Sequence, residues 1–147
     1  MRRSVRTASM TEALTERHPI GLLDTCVLID IARIDDAKLP VRSRISTITL
    51  AELGLGIALA ADPKTLALRT ERLLEVEHAF DALPMCSAAA RRFTTMSKLV
   101  VAGGRNPKPR KMDLMIAAIA SANDLPLYTA NIDDFAGLDP ILTLVPV

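Results

Sequence analysis

The stretch IGLLDTCVLIDIAR, residues 20–33, decides the fold. Its first four residues are a compact apolar run that stops on Asp24, as a strand buried on both faces does, and apolar residues then recur at helical intervals. Working outward, the same alternation continues. A second short strand is expected over 45–48, running into Thr49. The segment TLAEL that follows is an S/T-x-x-E capping box pairing Thr49 with Glu52, which opens an Ala- and Leu-rich helix to about Ala61. Asp62-Pro63 restarts a helix with Leu66, Leu73, Leu74 and Val76 on its apolar face. A third strand is expected over 81–85. Ser87 is expected to cap a helix through Val101 that Gly103-Gly104 stops, and Asn106-Pro107-Lys108-Pro109 reads as loop because proline bars helix before it. Asp113 opens a helix containing MIAAIASA, apolar nearly all round and therefore buried. Strands over 127–129 and 141–145 bring the number to five. Such alternation predicts an α/β fold, a five-stranded parallel sheet sandwiched between helices, with sites at the carboxyl ends of the strands.

The 147 residues suit one domain, and a composition that is half apolar can fill its core without staples. Residues 1–19 are expected to be a flexible N-terminal extension closed by Pro19, and 20–147 the folded domain. Residues 1–9 lack an apolar face to dock, so they are expected to be dispensable, with Met10 a candidate start. Net charge is only +1, but its distribution is uneven. Between 82 and 112 lie Arg91, Arg92, Lys98, Arg105, Lys108, Arg110 and Lys111 without an acid, whereas 113–147 hold acids and no base. Phe80, Phe93, Tyr128 and Phe135 are the only aromatics, too few for a base-stacking RNA-binding sheet. Cys26, Cys86, His18 and His78 offer no zinc spacing, and the cysteines are read as small buried hydrophobes. No apolar run could span a bilayer and the start does not lead into a signal-peptide core, so a reducing cytoplasm is the default expectation.

Three acids stand where a strand-end site would use them: Asp24 after the first strand, Glu52 in the first turn after the second, and Asp113 opening the buried helix. Taken singly, each is explained as a helix cap or first-turn acid. In a doubly wound sheet, however, they converge on one crevice, and carboxylates gathered there repel unless a cation sits among them. With no His or Cys cluster to bind it, that cation is Mg2+ or, as a substitute, Mn2+, held by Asp24 and Asp113, and its common employment is phosphodiester hydrolysis. Past the fourth strand, TANIDDF adds Asn131 as an inner-site group and Asp134 as a weaker candidate, although an Asx turn accounts for the segment equally well. Lys108, Arg110 and Lys111, close before Asp113, could hold RNA phosphates or simply be a solvated loop.

The stretches GLLDTCVLID, STITLAELGLGI, KPRKMDLMIAAIA and LYTANIDDF, in this order and spacing, resemble the PIN-domain ribonucleases, and among them the VapC toxins of bacterial VapBC toxin-antitoxin pairs. The resemblance runs from about Ile20 to Val147. It implies a PIN-like domain and Mg2+-dependent endonucleolytic cleavage of RNA. It also implies inhibition by a cognate VapB-type antitoxin, in a homodimer or a toxin-antitoxin hetero-oligomer away from membranes. By position, Asp24, Glu52 and Asp113 match the family's three nearly invariant acids. Asn131 falls where many relatives carry a fourth acid, which implies a weak or substrate-dependent second metal position, and Cys26 stands where serine is frequent. A response-regulator receiver needs a late strand-end lysine, yet no Lys or Arg follows Lys111, and a haloacid-dehalogenase phosphatase needs a second aspartate where Cys26 stands. Two alternatives remain open: a PIN module that binds RNA or protein without cutting, and an RNA-processing nuclease without an antitoxin.

Overall fold

The computed structural model describes residues 17–147, so the expectations placed on residues 1–16, Met10 included, fall outside it. Five parallel strands lie in the order β3-β2-β1-β4-β5: β1 (Ile20–Leu23), β2 (Arg42–Ser46), β3 (Ala82–Leu83), β4 (Leu127–Thr129) and β5 (Leu144–Pro146). The order reverses between β1 and β4, so the crevice at their carboxyl ends is the topological switch point. Five helices connect the strands among the described residues: α1 (Thr25–Ile29), α2 (Thr47–Ala58), α3 (Pro63–Ala79), α4 (Ser87–Ala102) and α5 (Lys111–Ala122).

Side chains alternate across the central strands, and each face is buried against a different layer. Leu22 and Leu127 face one way, into a cluster with Met96 of α4, Ile116 and Ile119 of α5, and Phe135. Leu23 and Tyr128 face the other way, packing with Val27 and Leu39. Gly21 makes the second arrangement possible. A Cβ there would stand 2.5 Å from the Tyr128 ring, inside contact distance, so only glycine lets the ring lie across β1. Leu28, Ile45 and Val76 form a third cluster beneath α2 and α3. No described helix is long and apolar enough to cross a membrane.

Several boundaries differ from the sequence reading, each for a local reason. β2 spans Arg42–Ser46 rather than 45–48, because Ser46 ends the strand by capping α2, its hydroxyl accepting from the Thr49 amide at 3.1 Å. The cap is therefore Ser46 and not Thr49. Glu52 sits in the second turn, freed from the capping box that sequence assigned to it. Cys86, not Ser87, occupies the N-cap of α4, without a side-chain bond. Pro107 and Pro109 do not leave a shapeless loop: Lys108–Arg110 form a 3-10 turn leading into α5. β3 shrinks to two residues, β5 begins at Leu144, and Thr25 to Arg33 splits into α1 and a 3-10 turn at Ile31–Arg33. On α3, Leu66 and Leu74 are exposed, so the apolar face narrows to Val76 with Leu73 at its margin. Cys86 is exposed and Cys26 half-buried, so neither is the buried hydrophobe expected.

The boundary at residue 19 also moves. Arg17 donates to the carbonyls of Leu39 at 2.9 Å and Pro40 at 3.0 Å, and the His18 and Pro19 carbonyls accept from Val41 and Arg42. The Leu39 and Pro40 carbonyls lie before the start of β2, and the Arg17 guanidinium satisfies them there.

Candidate active site

Asp24, the residue after β1, is buried, and its carboxylate is held from both sides. Oδ1 accepts from the Thr25 amide at 2.9 Å, and Oδ2 accepts from the Thr129 hydroxyl at 2.9 Å and, at 3.4 Å, from the Cys26 thiol. Asp24 is thus the N-cap of α1, as its innocent reading held, while Thr129 ties it to the end of β4 across the switch point. The thiol adds a weak donor where a hydroxyl would add a strong one; because two other donors hold the same carboxylate, its orientation does not depend on residue 26.

Glu52 reaches toward Asp24 from the second turn of α2, and its Oε1 accepts from the Thr25 hydroxyl at 2.9 Å. Burial raises its pKa, the Thr25 hydrogen bond opposes that rise, and the charge of Asp24 adds to it. Asp113 faces both from the first turn of α5. Its carboxyl is pushed up to about 6, mainly by burial and then by the negative charges of Asp24, Glu52 and Asp134, with Arg110 as the opposing influence. Asp113 stands in the first turn of α5, where the helix-start reading put it, and the other acids face it there. Four acids from four elements therefore share one partly dry crevice with one guanidinium, and each ionised carboxylate makes the next costlier.

The fourth acid is Asp134, weighed in the sequence as a weaker candidate. It is half-buried in the turn Ile132–Phe135 and pairs with Arg110. Asn131, expected inside the site, is exposed at its rim. Its backbone amide donates to Thr129 at 3.0 Å and its side-chain nitrogen lies 3.7 Å from the Cys26 sulfur. Of the three bases expected to meet phosphate, Lys108 and Lys111 are exposed, and Arg110 is engaged by Asp134.

This donor set fits a hard divalent cation. Carboxylate oxygens predominate and negative charge is in excess, with Arg110 the base acting on Asp113 against three acids. Among the described residues no three His, Cys, Asp or Glu side chains close around one point as a ready-made cage.

Beside Glu52 opens a groove of about 510 Å³, lined by Thr25, Ile29, Leu53, Leu68, Arg69 and Arg72. Of its lining, Ile29 and Leu68 are exposed. Another hollow, about 450 Å³ and bordered by His18, Arg92, Asp124 and Asp139, lies at the amino ends of β4 and β5, away from the carboxylates. Sequence reasoning passed over the hydroxyls of Thr25 and Ser46 and gave Thr49 only the part of a cap, which Ser46 takes. The only signal for the first two was position, Thr25 next to Asp24 and Ser46 at the mouth of α2.

No family model matches the chain. It is 38% identical over 124 residues to Ribonuclease VapC5 of Mycobacterium tuberculosis, covering 81% of this chain and 87% of that protein. Its fold matches the crystal structure of VapBC-5, a member of the VapBC family of toxin-antitoxin systems from Mycobacterium tuberculosis. That match has a TM-score of 0.76 and 36% identity, over 88% of this chain and 99% of that one. VapBC2 from Rickettsia felis, bound to a DNA fragment from its promoter, shares the fold at a TM-score of 0.69 and 21% identity, over 87% of this chain and 98% of that one.

Proposed function

The chain belongs to the VapC ribonucleases, and from that premise we propose that it is a Mg2+-dependent endoribonuclease, the toxin of a toxin-antitoxin pair, working through Asp24, Glu52 and Asp113. The observation that carries this reading is that Asp24, Glu52 and Asp113, from three elements, meet at the switch point, where the charges of the first two add to burial in raising the Asp113 pKa. Asp24 and Asp113 would hold the ion, with Mn2+ a substitute. When bound, it supplies charge neutralisation at the phosphodiester and a more acidic water.

The protein's own groups do the rest. Asp24 is pre-oriented by Thr25 and Thr129, so no reorganisation is needed as charge develops. Glu52 has Oε1 committed to Thr25, which leaves Oε2 to take a proton from the attacking water. Its raised pKa makes it a stronger base than a free glutamate. Lys108 and Lys111 flank the crevice on the side of α5 and meet the phosphates of the RNA on either side of the cut. Asn131 at the rim offers an amide to the same substrate.

The partner is a VapB-type antitoxin. The groove of Ile29, Leu53 and Leu68 ends at Glu52, so an amphipathic antitoxin segment lying in it delivers its next residues to the carboxylates, where an arginine would pair bidentately. RNA cleavage by the purified protein, run with Mg2+, with chelator, and with Mg2+ restored, tests the reading. Activity should vanish and return; cleavage that persists in chelator overturns the metal assignment.

A further inference from the structure

Glu52 is the end of a hydrogen-bonded chain that begins at the cap of α2. Its Oε1 and the Thr25 hydroxyl are 2.9 Å apart, the Thr25 and Thr49 hydroxyls 3.0 Å, and the Thr49 and Ser46 hydroxyls 3.4 Å. Thr25 is buried, and Thr49 and Ser46 are wholly so. An ionised carboxylate can only accept, which settles the direction of every bond. Thr25 spends its one hydrogen on Glu52, so Thr49 must donate to Thr25, and Ser46 to Thr49. Ser46 in turn accepts from the Thr49 amide, which closes the chain onto the helix start. All three hydroxyl dipoles therefore point at the carboxylate, and in a dry site aligned donors polarise one another.

We propose that Thr49 is a positioning residue for the ribonuclease reaction, acting through Thr25 to hold Glu52 in one rotamer with one oxygen turned to the substrate. The proposal rests on the reading of Asp24, Glu52 and Asp113 as the active site. It gives the buried Thr49 hydroxyl a purpose beyond satisfying itself. Ser46 already caps α2 through the Thr49 amide, so the helix needs no hydroxyl at 49; valine would fill the same space and leave the cap intact.

The test compares Thr49→Val, Thr49→Ser and Asp62→Ala, assayed well below their unfolding temperatures. Asp62→Ala removes the cap of α3, a site apart from the chain of hydroxyls, and controls for lost stability. Groups that orient a metal-site carboxylate typically matter roughly 10- to 100-fold. Thr49→Val should lose kcat in that range with KM for RNA held within about twofold and with parental Mn2+ affinity in a titration without RNA, because Asp24 and Asp113 hold the ion and only Glu52 is loosened. Thr49→Ser should recover kcat, and Asp62→Ala should change neither kcat nor Mn2+ affinity. If Thr49→Val does not fold, Thr49→Ala takes its place with the same expectations. Parental kcat in the valine or alanine variant, or a loss of Mn2+ affinity that accompanies the loss of kcat, with Asp24→Asn inactive, overturns the positioning of Glu52 and leaves the site standing. Parental cleavage by Asp24→Asn removes the site, and the proposal with it.

Discussion

Asp113 carries a carboxyl whose ionisation is disfavoured by burial and by neighbouring acids. Its pKa rises from 3.8 to about 6 on folding, so between those values the native state binds the proton more tightly than the unfolded chain. Stability must therefore fall as pH rises from about 4 to 6, and the penalty persists above that window. Asp113→Asn removes the charge and keeps the shape. In chelator, the variant should melt at a higher temperature than the parent at pH 7 and at nearly the same temperature at pH 4, while losing cleavage. Equal melting at both pH values would mean that the carboxylate carries no strain. The positions of Asp24, Glu52 and Asp113 were legible because strand ends and helix starts are written in local pattern. The role of Glu52 was less so, since S/T-x-x-E suits a capping box at Thr49 until the structure places the cap at Ser46. The hydroxyl chain was not legible at all, because it depends on which strands are neighbours.

At the scale of elements, alternation of strand and helix was readable and edges were not. Arg42, Ser43 and Arg44 are polar and look unlike a strand, yet they form the solvent-facing start of β2, paired with Ile20 to Leu22. Helix α5 ends in a Schellman motif. The Leu125 amide donates to Ala120 and the Asp124 amide to Ser121, which forces Asp124 to a φ of 52°. Glycine takes that conformation without strain and carries no negative charge into a helix carboxyl end, so Asp124→Gly should stabilise the protein by about 0.5–1 kcal/mol in denaturant unfolding. A loss of stability would show that Asp124 makes a compensating contact. Gly21→Ala tests the opposite sign. The added methyl meets the Tyr128 ring in the sheet centre, and a cost of about 1–3 kcal/mol is expected. A neutral outcome would mean that the ring shifts freely.

For the whole molecule, two features sit side by side: a carboxylate crevice and an apolar groove that ends in it. On the proposed reading, inhibition and catalysis compete for the same oxygens. An antitoxin whose crevice-reaching arginine is replaced by alanine should stay largely bound, since the groove provides most of the contact, while RNA cleavage returns. Full inhibition at equal occupancy would favour simple blocking of access over pairing with the acids. The charge asymmetry seen in the sequence finds its structural meaning here only in part. Lys108 and Lys111 are exposed on the turn and at the first residue of the helix that carries Asp113, whereas Arg110 pairs with Asp134. On the proposed reading, a divalent cation joins the acids to RNA. The most direct measurement is single-turnover RNA cleavage by Asp24→Asn and Asp113→Asn across a Mg2+ titration, with folding verified for each. Both variants should be inactive at every Mg2+ concentration at which the parent cuts; cleavage at the parental rate by either would contradict a metal-dependent site built on these two carboxylates.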